Sequence, residues 1–135
     1  MSILQGKKIL VVDDAFGQRE SIHMLLRRLG AFVIKAENGE DALTILKLNS
    51  FDLITTCLHM PVKNGFDLCM EIKDRGITTP IMIITNFSGD IGYADRILKR
   101  TGAVDYIKKP FNVYDLIIRI EKALLIPLKV SNCSS

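Results

Sequence analysis

Four places in this chain carry side chains able to handle a charged oxygen group: the acid pair Asp13-Asp14, the thiol of Cys57, the hydroxyl of Thr85 and the amine of Lys109. Each follows an apolar run. Ile9-Leu10-Val11-Val12 precedes the acids, Leu53-Ile54-Thr55-Thr56 the thiol, Ile81-Met82-Ile83-Ile84 the hydroxyl, and Val104-Asp105-Tyr106-Ile107 ends just before the amine. Adjacent carboxylates are costly to hold together unless a cation sits between them, and oxygen donors of that kind suit Mg2+. Lysine and threonine are natural partners of phosphate oxygens.

The runs read as buried strands, and helical patterns separate them. Strands are expected over Lys7–Val12, Phe32–Ala36, Asp52–Thr56, Pro80–Ile84 and Val104–Ile107. Between them, apolar residues at helical spacing predict helices over Phe16–Leu29, Glu40–Leu48, Phe66–Arg75, a stretch starting at Ser88-Gly89-Asp90 and running to Thr101, and Val113–Leu125. Gly30, Gly76, Gly102 and Pro127 act as stops. Alternation with short turns forces parallel strands and right-handed crossovers: an α/β, doubly wound, five-stranded parallel sheet with five helices on its two faces, of flavodoxin-like type. In such a sheet the carboxyl ends of the strands share one edge, where ligands bind, and that edge gathers Asp13, Asp14, Cys57, Thr85 and Lys109.

Composition narrows the classes. A chain of 135 residues with 48% hydrophobic content suits one domain with a sizeable core. The net charge of +3 is scattered among acids and aromatics are sparse, so no nucleic-acid groove is expected. No apolar run approaches the roughly 18 residues needed to cross a bilayer, and Met1 to Gly6 is no secretory signal; the expected location is the cytoplasm. Cys57, Cys69 and Cys133 form neither an even set nor a CxxC pair, which argues against a disulfide framework or a zinc site. His23 and His59 do not suggest a zinc site, and His23 reads as a partly exposed helix residue.

Taken together, the blocks Ile9 to Asp14, Phe51 to Gly65 around Met60-Pro61 and Asn64-Gly65, Ile81 to Thr85, and Gly102 to Phe111 resemble a response-regulator receiver domain of two-component signalling. The resemblance covers residues 1–128, leaving 129–135 as a flexible tail. It implies a signalling module, not an enzyme, that takes a phosphoryl group from a histidine kinase or phosphotransfer protein onto an aspartate with Mg2+. Asp14 matches the direct metal ligand, Asp13 its water-mediated neighbour and the His59 carbonyl the backbone ligand. Thr85 and Lys109 match the residues that grip the phosphoryl oxygens. Tyr106 matches the switch aromatic, which reshapes an effector-binding face built from the fourth helix, fifth strand and fifth helix. Asp115-Leu116 and Arg119-Ile120 resemble receivers that form homodimers through that face.

The departure falls on the acceptor itself: residue 57 is Cys, and Asp52, at the start of the strand, lies too far away to replace it. A thiol removes one hard oxygen ligand and one negative charge, so Mg2+ affinity and normal phosphorylation are expected to fall away. Lys109 lowers the pKa of a nearby thiol while Asp13 and Asp14 raise it, and sequence does not rank these effects. Because Asp13, Asp14, Thr85, Tyr106 and Lys109 all stay in register, replacement of Asp in an otherwise competent receiver is preferred to long drift into a phosphorylation-independent interaction module.

Blander readings stand beside these. Asp13-Asp14 could simply cap a helix, Tyr106 could be a packed aromatic, and Cys57 could merely fill space. Pairing of Cys57 with Cys69 is disfavoured by distance. A cysteine phosphatase needs Arg six residues after the nucleophile; here that residue is Lys63, and Pro61 removes a cradle amide. A nucleotide-binding oxidoreductase needs a Gly-rich turn, which Asp13-Asp14-Ala15-Phe16-Gly17 lacks.

Overall fold

The computed structural model describes residues 3–87 and 89–126. The strands are β1 (Lys8–Val12), β2 (Phe32–Ala36), β3 (Leu53–Thr56), β4 (Ile81–Thr85) and β5 (Asp105–Lys108). The helices are α1 (Phe16–Arg28), α2 (Gly39–Leu48), α3 (Gly65–Asp74), α4 (Tyr93–Thr101) and α5 (Val113–Leu124). All strand pairs are parallel, in the order β2-β1-β3-β4-β5. The chain order reverses at β1, so a crevice opens at the carboxyl ends of β1 and β3.

Strand alternation divides the core into two layers. Leu10, Val12, Ile54 and Ile83 pack with Ala42, Leu43, Leu68, Ile72 and Ile97 from α2, α3 and α4. Ile9, Val11, Leu53, Met82 and Ile84 pack with Ile22, Leu26, Leu116 and Ile120 from α1 and α5. Side-chain caps fix three helix starts: Asn38, Asn64 and Asn112 accept from the backbone N–H of Asp41, Asp67 and Asp115 at 2.8, 2.8 and 3.1 Å.

One helix differs from its sequence expectation. α4 begins at Tyr93, not at residues 88–90, because Gly89 (φ 60) and Gly92 (φ 84) are both left-handed and interrupt helical backbone on either side of Asp90-Ile91. Ser88, the tail 129–135 and the proposed stop Pro127 lie outside the described residues. Asp52 lies at the amino end of β3, where its carboxylate accepts from the Lys8 N–H at 2.8 Å.

The loop after β3 is tightly held. Val62 has φ 70 and sits at the centre of a γ-turn closed by Lys63 N–H to Pro61 O at 2.8 Å. The Lys63 ammonium meets Glu71 at 3.0 Å and Glu40 at 3.5 Å, while its carbonyl accepts from Gly39 N–H. Gly65 closes the loop: its N–H donates to Leu58 O at 2.7 Å, and a Cβ there would lie 1.9 Å from the Cys57 carbonyl oxygen. Gly65→Ala is therefore expected to cost about 1–3 kcal/mol of unfolding free energy in urea titrations. A change within about 0.5 kcal/mol, the range of a neutral surface substitution, would show that this close approach is unimportant.

Candidate functional site

Asp13, Asp14 and Cys57 reach the crevice as predicted, with Thr85 and Lys109 beside them; together with Ala15, His59, Asn86 and Phe87 they line a cavity of about 270 Å³. Each arrives on the backbone ladder. Asp13 N–H donates to Ala36 O, Cys57 N–H to Val12 O, and Lys109 N–H to Thr85 O. These bonds hold adjacent strand ends in register, so residues 96 positions apart meet.

The centre of the pocket is a buried ion pair. Lys109 Nζ lies 2.7 Å from Asp13 Oδ2, and both side chains are almost fully buried. The other Asp13 oxygen accepts from Ala15 N–H at 3.0 Å, and the Asp13 carbonyl accepts from Arg19 at 2.7 Å. Asp14, by contrast, is exposed. Thr85 is buried, and its Oγ1 accepts from Phe87 N–H at 3.3 Å.

Cys57 is buried with its Sγ 3.7 Å from Asp14 Oδ1 and 3.9 Å from the His59 carbonyl oxygen. Burial pushes the thiol up from 9.0 to about 12; the negative charge of Asp13 adds to this, as does that of Asp14. A backbone hydrogen bond from Asp14 and the Lys109 ammonium oppose it without prevailing. The ranking that sequence left open is thus decided by desolvation. A raised folded-state value means that the thiol's contribution to stability is whole below pH 9.0 and is lost as pH rises through about 12.

A protonated thiol is a poor nucleophile. At pH 8, iodoacetamide should label Cys57 about a thousandfold more slowly than an unstructured cysteine, since thiolate fraction falls tenfold per pH unit below the pKa. Labelling at the free-peptide rate would contradict the burial seen here. Cys69 is likewise free, buried and pushed up to about 12 by burial. Lys63, the residue at the phosphatase arginine position, points to Glu71 and Glu40 and is not among the residues lining the cavity.

Sequence reasoning missed an aromatic series leading away from the pocket. His59 meets Phe87 edge-on at 5.2 Å, Phe87 meets Tyr93 at 4.9 Å, and Tyr93 meets Tyr106 at 6.2 Å. The Tyr106 hydroxyl donates to the Phe87 carbonyl. Tyr93 gave no sequence signal beyond its helical position. Nearby, Arg119 on α5 bridges Asp105 at 3.0 Å and Asp115 at 3.2 Å.

As a metal pocket the donor set fits Mg2+ only in part. One ligand atom from each of Asp13, Asp14 and Cys57 lies within 4.8 Å of the others, but the third donor is sulphur, where a hard cation prefers oxygen. Among the described residues no helix is long and apolar enough to cross a membrane.

A five-stranded, doubly wound sheet with an acid pair, a hydroxyl and a lysine at its carboxyl edge defines a receiver-type signalling domain. The sequence model of the family described as response regulator receiver domain matches residues 9–121, and the chain belongs to that family. It is therefore a receiver domain of two-component signalling. It is 39% identical over 122 residues to the probable transcriptional regulator ycf27 of Cyanophora paradoxa, covering 90% of this chain and 49% of that protein. It is 41% identical over 86 residues to the autoinducer 1 sensor kinase/phosphatase LuxN of Vibrio harveyi, covering 64% of this chain and 10% of that protein. The chain thus spans about half or less of these curated relatives. Among solved structures, the Francisella response regulator 1452 receiver domain superposes with a TM-score of 0.82 at 28% identity, covering 88% of this chain and 97% of that one.

Proposed function

We propose that this receiver occupies its place in a two-component relay without accepting a phosphoryl group, because Cys57 stands where the acceptor carboxylate belongs. The observation that carries this is the thiol itself, buried and protonated at the mouth of β3 with Asp13, Asp14, Thr85 and Lys109 around it. A neutral thiol supplies neither the negative oxygen that attacks phosphorus nor a hard ligand for Mg2+. Asp13, Asp14 and the His59 carbonyl remain as a weakened Mg2+ set, and Thr85 and Lys109 as phosphoryl-oxygen partners. Family self-phosphorylation and autodephosphorylation are lost with the acceptor.

The partners in this reading are a histidine kinase or phosphotransfer protein at the pocket and an effector at the face of α4, β5 and α5. That face carries Tyr106 as the switch and would also pair two copies; Arg119 there is ion-paired within the chain to Asp105 and Asp115. The setting is cytoplasmic. The test is intact-mass measurement after incubation with acetyl phosphate and Mg2+. The chain as it stands should gain nothing and Cys57→Asp should gain one phosphoryl group; an unmodified Asp form would sink the proposal.

A further inference from the structure

At the edge of the sheet opposite the acid pocket, by the amino ends of β4 and β5, lies a second and more apolar space. Ile72, Ile77, Pro80, Ile81, Val104 and Ile126 line a groove of about 460 Å³ there. We infer that this groove is a docking site for the chain's own segment 128–130, which follows α5 and seats Leu128 and Val130 against those side chains. The inference is independent of the reading of Cys57.

The course of the chain points to it. α5 packs through Leu116, Ile120 and Ala123 in the layer shared with α1, whereas Ile72 belongs to the layer of α2, α3 and α4 on the other face of the sheet. Ile126 nevertheless lines the same groove as Ile72, so just past the end of α5 the chain has already turned beneath the amino edge of the sheet. The Ile126 N–H donates to Ala123 O at 3.3 Å, which fixes this exit. Pro127 has no N–H with which to prolong the helix, and it biases the residue before it towards extended backbone.

The residue pattern supplies the match. On extended backbone Leu128 and Val130 share one side and Lys129 takes the other. Among the residues lining the groove only Lys73 is charged, so the wall suits aliphatic side chains and offers Lys129 no carboxylate. Val104 and Ile126 are 37% and 44% exposed, and seated aliphatic side chains would remove that apolar surface from water.

The chain has no tryptophan, so a single one placed in the segment reports its surroundings alone. In the full chain, Leu128→Trp should emit at shorter wavelength and resist an aqueous quencher, while Lys129→Trp should emit as a water-exposed indole. Val104→Asp, at an exposed position on the groove wall, should return the Leu128→Trp emission to that of water-exposed indole. The pair Leu128→Ser/Val130→Ser should lower the melting temperature by about 4 °C, and leave it unchanged in the Val104→Asp background. Equal emission from positions 128 and 129, indifference to Val104→Asp, or an unchanged melting temperature in the double Ser variant would each overturn the assignment. Two other occupants have their own signatures, and either would also overturn it. A short-wavelength emission that is lost on dilution means that a second copy covers the groove. Equal binding of a hydrophobic fluorescent dye by the full chain and by the double Ser variant means that the groove stands open to small apolar molecules.

Discussion

Cys57→Asp is expected to bind Mg2+ on the order of a hundredfold more tightly than the chain as it stands, and to depend on it for stability. The present pocket holds two carboxylates against one ammonium, with a neutral thiol between them. An aspartate at 57 makes three carboxylates, and like charges within 4.8 Å of one another repel by at least about 3 kcal/mol per pair at an effective dielectric near 20. Lys109 offsets part of this, so the metal-free Asp form should be about 1–2 kcal/mol less stable than the Cys form. Mg2+ binds the folded pocket only, and its addition should recover that loss. Thermal melts in chelator and in Mg2+ would read both effects. A Cys chain that responds to Mg2+ as strongly as the Asp form would show that residue 57 does not contribute to the metal pocket.

Removing the buried cation should have the largest effect on folding. Lys109→Met keeps most of the side-chain volume but leaves the Asp13 carboxylate, 2% exposed, without its 2.7 Å partner. Stripping one member from a buried pair typically costs about 3–5 kcal/mol, because the remaining charge stays desolvated. Asp13 retains the Ala15 N–H bond, but one neutral donor does not replace an ammonium. The double variant Asp13→Asn/Lys109→Met should recover much of the loss, since no lone charge is left buried. Urea denaturation of the three proteins checks this. Additive losses would mean that the pair is no more than two independent contacts.

Most of the architecture was legible in the residues. Four-residue apolar runs ending in polar side chains marked β1, β3 and β4, and helical spacing with Asn, Gly and Pro signals marked the helices between them. The gathering of Asp13, Asp14, Cys57, Thr85 and Lys109 followed from topology alone, because parallel strands bring their carboxyl ends to one edge. The start of α4 was not legible, since glycines at 89 and 92 read as a helix entrance until their left-handed backbone is seen. Tyr93 and the clamp of Lys63 on Glu40 and Glu71 were equally hidden, because such pairings depend on how elements dock rather than on local pattern.

Residue 57 divides the two kinds of knowledge most sharply. The sequence by itself determined that a cysteine stands at the end of the third strand, among side chains suited to a phosphorylated carboxylate. What state that thiol takes, only the tertiary structure decided: Lys109 and the two acids pull in opposite directions, and their separations and the burial of the sulphur are long-range properties. Desolvation, set by packing from the whole sheet, outweighs the ammonium and holds Cys57 protonated.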